Sequence, residues 1–465
     1  MEYKIEIDDF QKIQKLEKSR KEKGKEDFAD LCYIFLKAVD ENTPYSEFHI
    51  IMDFNSKIKY GLSKTEKNLF FEKQIHLILL NFFINPTLLD EQCYIFLPRL
   101  LITLYEKHDS ECSFFLSKDF LDRLITDATT YPEEGIDHYK FNQHTKRFKR
   151  INELLKNIVK KHHKYIPIPF IIENYVKSLS NIHDFSFLST FREIIKTEEA
   201  IFEYCAPVYK NLNTLFNDED YYLEKFCYLK IMCTLFKKGI KFQNFFHDNI
   251  QIENLFKLLS DENDDLRLIA EAFKMYTLLL NQETMNLALL SYDIIDHSAL
   301  FKRINENAKK NISSSVNEEV YFVSVCNFYQ SILNRFPQFF NSFNLNYFNF
   351  FFLLCKLSYK VKVEAIKTMC MICCLGPSDY ISFLVENGFL DQIFSIIDEC
   401  HETLYFIKTI KVIFDYSIVK NNHEIQDAIF QDYYISIIDN IVQKSEFSDI
   451  ANIWNLIIKE KNDII

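Results

Sequence analysis

Helix-spaced apolar residues recur about every 43–46 residues along this chain. Leu212, Leu215, Phe216, Leu223 and Phe226 are followed 43 positions on by Leu255, Leu258, Leu259, Leu266 and Ile269. Moved on by 138, three steps of 46, the second set lands on Ile393, Ile396, Ile397, Leu404 and Ile407. A fixed period of this size means stacked helical units, none of which can bury its apolar face alone. The length points the same way: 465 residues exceed the about 250–300 at which one closed core stops growing.

Composition agrees with an all-α chain. Only 6 Gly and 9 Pro are present, against usual shares of roughly 7% and 5%. That is too few for the turns of an all-β fold or the strand-to-helix turns of a doubly wound α/β enzyme. The 46 Phe and 26 Tyr fit an AT-rich coding bias and are expected mostly to fill the core between helices. With 54 basic and 66 acidic residues the net charge is −12, so the chain as a whole is a poor general binder of nucleic acid or anionic membrane. The 12 Cys lie mostly inside apolar helical stretches and read as small buried hydrophobes in a reducing compartment. The first thirty residues alternate charge and lack an apolar run, so no secretory signal is expected. The longest apolar runs, near Ile75–Ile84 and Tyr347–Cys355, are about half the ~20 residues of a membrane span. The expectation is a soluble, cytoplasmic protein with no membrane partner.

Residues 1–27 are mixed-charge, with Phe10, Ile13 and Leu16 on one helical face, and read as a leading helix or cap. Residues 28–465 then divide into about ten units, with slots near Leu31, Ile75, Leu124, Ile171, Leu212, Leu255, Ile304, Phe350, Ile393 and Ile438. The clearest unit is 361–399. Val363–Leu375 reads as a helix with the small Ala365 near its start, stopped by Gly376-Pro377, where Gly suits a left-handed cap and Pro cannot continue a helix. Ser378 or Asp379 would cap a short helix over Tyr380–Asn387, Gly388 would make a sharp turn into Phe389–Asp398, and the next long helix would be Leu404–Val419. A distant copy matches: Ser113-Phe114 and Phe120-Leu121-Asp122 repeat Ser382-Phe383 and Phe389-Leu390-Asp391 at a constant offset of 269. In these features the chain resembles the armadillo repeat family and, where the turn glycine is replaced by Asp119 or Ile250, HEAT-like hairpins. The resemblance implies a right-handed α-solenoid whose third helix in each unit lines a concave groove. Two polar breaks, Asp127–Asn142 and Asn305–Glu319, read as loop insertions.

The strongest charge anomaly is 138–172, which holds Lys140, Lys146, Arg147, Lys149, Arg150, Lys156, Lys160, Lys161 and Lys164 against one acid, Glu153. Helical spacing puts Phe148, Ile151, Leu155, Ile158 and Val159 on an apolar stripe and Lys146, Lys149, Arg150, Lys156, Lys160 and Lys164 on the opposite face. In the armadillo-like register this helix is the third of its unit. Those six cations are the candidate partner-binding residues, suited to an acidic or phosphorylated segment or another phosphate-rich ligand. A solvated helix face would carry the same pattern.

Acidic turns recur at Asp218-Glu219-Asp220, at Asp261-Glu262 with Asp264-Asp265, and at Asp398-Glu399 with Glu402; helix capping accounts for such placement, and an acidic ridge for a basic partner is the other reading. Cys370, Cys373 and Cys374 lack the second ligand pair of a zinc site, and His162-His163 lacks an i+4 partner, so no metal and no cofactor are expected. No two of the glycines stand closer than Gly376 and Gly388, which leaves no phosphate-binding loop, and neither GxSxG nor HExxH occurs. The one tryptophan, Trp454, rules out the repeated Trp/Asn array by which importin-α-type members read basic signals. The expectation is a non-enzymatic protein-interaction scaffold with no small-molecule substrate. A regulatory subunit of a phosphatase or kinase assembly, or phosphate-rich ligand or nucleic-acid binding through residues 144–164, are the alternatives.

Overall fold

A computed structural model describes residues 28–39, 44–108, 113–132, 137–179, 181–182, 184–197, 222–239, 241–244, 265–281, 316–336, 348–444 and 448–464, with single positions between them. The chain forms two compact units divided between residues 207 and 208.

The first unit contains α1 (Phe28–Ala38), α2 (Phe48–Tyr60), α3 (Lys64–Glu72), α4 (Ile75–Ile84), α5 (Glu91–Lys107), α6 (Lys118–Ala128), α7 (His138–His162), α8 (Ile168–Ser178) and α9 (Phe185–Thr197). They pack as two rows. The front row runs α2, α5, α7, α9, each against the next, and the back row runs α1, α3, α4, α6, α8. Front helices start at residues 48, 91, 138 and 185, so one repeat advances the chain by 43 to 47 residues. Three of these starts carry the same device. Asp90, Asp137 and Asp184 accept from the backbone N–H of Cys93, Tyr139 and Ser186, each at 2.7 Å, and so satisfy donors that a helix N-terminus leaves open. Successive repeats are also stitched through their turns, where Tyr45 N–H donates to the Leu88 carbonyl at 2.7 Å and Asp90 N–H to the Tyr45 carbonyl at 3.0 Å.

The second unit has a front row of α10 (Tyr222–Phe236), α11 (Leu266–Leu280), α12 (Val316–Arg335), α14 (Tyr359–Leu375), α17 (Thr403–Val419) and α20 (Ser448–Ile464), again each packed on the next. Shorter helices support it: α13 (Phe348–Leu354), α15 (Asp379–Glu386), α16 (Phe389–Phe394), α18 (His423–Ile429) and α19 (Asp432–Lys444). Front helices start at 222, 266, 316, 359, 403 and 448; the one long step, of 50 residues, spans the predicted insertion at 305–319. Among the described residues each unit is all-α, built of helices packed in repeating rows. Among the described residues the sole β feature is the isolated bridge between Tyr45 and Leu89.

The predicted slots hold a consistent place. Leu31, Ile75, Leu124, Ile171, Phe350, Ile393 and Ile438 all lie on the supporting helices, and all are buried. The slots at Leu212, Leu255 and Ile304 and the segment 1–27 lie outside the described residues. Both predicted insertions are narrower than their sequence limits. Helix α6 runs on to Ala128 and α7 starts at His138, while α12 begins at Val316. Polar residues there form helix ends as well as loops, which composition alone cannot separate.

The unit at 361–399 shows where turn chemistry was read correctly and where it was not. Gly388 adopts φ +85° and makes the expected sharp turn. Gly376 does end α14, but with φ −85° and ψ 175°, not in the left-handed region. Its reason is steric: a Cβ there would stand 2.6 Å from the Ile372 carbonyl and 3.0 Å from the Phe340 ring. Neither Ser378 nor Asp379 caps α15 as expected; Ser378 is itself in helical conformation and makes no side-chain cap bond. Helix α16 unwinds after Phe394, four residues short of the predicted end, yet Ile396 and Ile397 remain buried.

Candidate functional site

Helix α7 has the two faces that its spacing predicts. Phe148, Ile151, Leu155, Ile158 and Val159 are buried, each such side chain contributing about 1.5–3 kcal/mol relative to exposure. Three neighbours hold the helix: α5 and α9 on its flanks and α6 behind. Buried Asn152 ties them together. Its amide donates to the Ala128 carbonyl at 3.2 Å, its Oδ1 accepts from the Tyr175 hydroxyl at 2.7 Å, and its backbone carbonyl accepts from Thr190 Oγ1 at 3.0 Å. The opposite face, being far from α6, is the one left to solvent.

One of the nine basic residues belongs to the core. Arg147 is buried, bonds Asp127 at 2.5 Å, and stands 3.8 Å from the centroid of the Tyr94 ring. Its Nε also donates to the Tyr94 carbonyl at 3.3 Å. That carbonyl has a specific history. Pro98 lies inside α5, and a proline has no N–H to give to the carbonyl four residues earlier. Arg147 supplies the donor that Pro98 removes, while Arg123 braces Asp127 from the other side at 2.8 Å. The shallow cleft beside this pair, lined by Tyr94, Thr130, Tyr131, Pro132 and His144, therefore has a floor whose charges already satisfy each other.

The six predicted contact residues are not equivalent. Lys146, Lys149 and Lys160 are exposed on α7, Arg150 and Lys156 are half-buried on it, and Lys164 is exposed but sits past the helix in the 3-10 turn His163–Tyr165. The helix stops before Pro167, so Lys164 does not share the stripe and is corrected out of it. The edge facing α9 is partly compensated. Lys149 Nζ lies 4.0 Å from Asp184, and Lys156 Nζ donates to Ser189 Oγ at 2.9 Å. Burial pulls the Lys156 ammonium below its ordinary value, and the neighbouring Lys160 charge adds to this. Burial alone would raise the Glu193 carboxyl on α9, but its bond to Lys196 and the charges of Lys196, Lys160 and Arg192 outweigh that and hold it low.

On the edge facing α5, Glu91 reaches Lys140 at 3.4 Å near the start of both helices, but beside Arg150 the neighbour is a cation. Arg99 of α5 and Arg150 of α7 both lie over the Phe96 ring, at 5.4 and 5.3 Å from its centroid. Burial, then the charge of Arg99, pull the Arg150 guanidinium down to about 10. Arg99 escaped the sequence reading because it lies in another repeat. The available signal was Phe96 with Arg99 three residues on, which puts ring and guanidinium on one helix face.

Other candidates resolve as structure. Asp265 caps α11 and pairs with Arg267 at 2.9 Å, as the capping reading expects, while Asp218–Asp220 and Asp261–Asp264 lie outside the described residues. Glu402 precedes α17 without capping it and accepts from the Cys400 thiol at 2.7 Å. Cys370 and Cys373 are buried, and desolvation raises both thiols; Cys374 is exposed at the edge of the helix, 3.8 Å from Thr409 Oγ1. Among the described residues no three His, Cys, Asp or Glu side chains come together as a metal site, and no helix is long and apolar enough to cross a membrane.

Fold and site together define a class: an all-α helical-repeat chain with one strongly basic front-row helix. No protein-family model matches the chain, and no curated protein matches it. Solved structures similar to it include Kap121p alone, 12% identical, with 93% of this chain and 42% of that one covered at a TM-score of 0.43. Kap121p bound to Nup53p is 10% identical over 84% of this chain and 42% of that one, at a TM-score of 0.42. Kap121p bound to Pho4p is 12% identical over 88% of this chain and 40% of that one, at a TM-score of 0.41. The chain thus spans less than half the length of these structures, and likenesses this distant say nothing of what it binds.

Proposed function

We propose that the protein is a non-enzymatic interaction scaffold that captures an acidic segment of another protein along α7. One observation carries this reading. In a chain of net charge −12, a helix braced on three sides turns Lys146, Lys149, Arg150 and Lys160 outward, and no described carboxylate pairs with Lys146, Arg150 or Lys160 within 4.0 Å. A scaffold needs a rigid display of uncompensated charge, because a flexible one would spend affinity on ordering side chains. Buried, protonated thiols such as Cys370 suit a cytoplasmic setting.

The test compares affinity capture by the wild-type chain with capture by Lys149→Glu, Arg150→Glu, Lys156→Glu and Lys160→Glu combined, read by mass spectrometry after nuclease treatment. Thermal melting checks that the variant stays folded, since Lys156→Glu also removes the bond to Ser189. Stoichiometric partners should be lost from the variant. An unchanged set of partners would remove α7 as the binding element, and capture that disappears with nuclease would point to nucleic acid instead.

A further inference from the structure

The stripe has one point of unrelieved repulsion. Arg99 and Arg150 come from different repeats, yet both guanidiniums rest on the single ring of Phe96. That ring is itself fixed, buried and held edge-on by Phe48 at 5.2 Å and 89°. Bringing two half-buried cations to one ring costs free energy, both from their mutual repulsion and from lost hydration. Structural arginines offset that cost with a carboxylate, as Arg147 does with Asp127. Among the described residues no carboxylate stands within 4.0 Å of either Arg99 or Arg150; Glu153, one turn on, acts on Arg150 only at longer range.

We propose that Arg99 and Arg150, seated on Phe96, form the subsite for a phosphorylated side chain of the bound protein segment. The proposal rests on the scaffold reading and sharpens it. Charge decides between the two acidic chemistries. A carboxylate brings one negative charge to two cations, whereas a phosphomonoester brings about −1.5 to −2 and three acceptor oxygens. A contact to the ring through Cζ uses none of the guanidinium N–H donors, and guanidinium forks match phosphate oxygens two at a time. The half-buried setting strengthens each such bond, because water competes less well there. Lys146 and Lys149 stand on the same face of α7 and would draw the flanking acidic residues of the segment.

The experiment uses the full chain and three fluorescent degenerate peptide pools, identical except for a fixed central phosphoserine, glutamate or serine. Binding is read by anisotropy at low and at physiological salt. The phosphoserine pool is expected to bind at least about tenfold more tightly than the glutamate pool, the scale of one added charge-assisted bond. Arg99→Gln and Arg150→Gln should each remove most of that preference, with melting temperatures equal to or above wild type because the repulsion is relieved. Arg99→Lys should keep only part of the preference, since it retains the charge and loses the fork. Lys177→Gln, on α8 and paired with Glu173, should change nothing. Equal binding of the phosphoserine and glutamate pools, both lost on charge reversal of α7, would overturn the phosphate subsite and leave the scaffold standing. A preference that survives Arg99→Gln and Arg150→Gln would overturn the assignment to these residues. No binding of any pool would overturn both readings.

Discussion

The front rows of the two units handle charge in opposite ways. In the second unit two front-row lysines, Lys367 and Lys411, are each held between a carboxylate of their own helix and one from the next repeat. Lys367 of α14 lies 3.1 Å from Glu364 and 3.2 Å from Glu402. Lys411 of α17 is bonded to Asp415 and stands 3.0 Å from Glu460 of α20. The Gln330 amide of α12 continues the seam, donating to the Glu364 carbonyl and to Thr368 Oγ1, each at 3.1 Å. In the first unit α7 leaves Lys146 and Lys160 exposed with no described carboxylate within 4.0 Å, and α5, whose Glu91 reaches only Lys140 and His144, adds the cation Arg99 beside Arg150. The two rows share one architecture, so architecture does not dictate the difference. A seam that satisfies itself holds repeats together; one left unsatisfied is available to something else.

The comparison can be broken first at Arg147. If it is the one structural cation of α7, Arg147→Met should cost about 1–3 kcal/mol in urea unfolding, since it removes one of the two arginines on buried Asp127 and leaves the Tyr94 carbonyl without its donor. A loss near zero would remove that structural role. Next in size, Lys149→Glu with Lys160→Glu should weaken binding of a glutamate-centred peptide pool about tenfold at low salt and less at high salt, where screening has already weakened it. The matching change in the second unit should do the reverse. Lys367→Met or Lys411→Met should leave that binding unchanged and cost at most about 1 kcal/mol, as part-exposed pairs do; a binding defect there would erase the contrast between the rows. The smallest effect is in pH. The Cys400 bond, and after it Lys367, hold the Glu402 carboxyl below its ordinary range. A depressed carboxyl stabilises the fold above its unfolded pKa, about 4.3, and that contribution is lost as pH falls through the lower folded value. Lys367→Met should therefore flatten the fall in the urea midpoint on acidification below about pH 5, and Lys146→Met, exposed on α7 with no described carboxylate within 4.0 Å, should not.

Much of this was legible in the sequence, for a physical reason. Burial imposes a 3.6-residue period on every helix and a period near 45 on the stack, so the all-α class, the slots and the stripe on α7 follow from local spacing. The slots fell on the supporting helices, which are mostly shorter than those of the front row. What stayed hidden joins residues from different repeats. Arg147 entered the charge count of 138–172 but not the stripe, and its buried role stayed hidden because Asp127 lies across a turn and Pro98 lies one repeat back. Arg99 was missed for the same reason. Gly376 was read as a conformational glycine, whereas the Ile372 carbonyl and the Phe340 ring, the latter distant in sequence, fill the place a Cβ would take. The Asp90, Asp137 and Asp184 caps were local, stand 47 residues apart, and could have been found from spacing alone.

The vacancy that Pro98 opens in α5 ties two repeats together in addition to their packing. In a stack of repeats each unit ordinarily loosens with its own free energy plus a contact term to its neighbours. Here one helix lacks a donor until the next repeat delivers it, so α5 cannot close its backbone ladder while α7 is displaced. The slowest-exchanging amides of α5 and α7 should therefore open together, as one cooperative block in hydrogen exchange. Arg147→Met should split that block in two. A surface that must hold two arginines from α5 and α7 in register gains from such a block, because neither half of the pair can drift without the other.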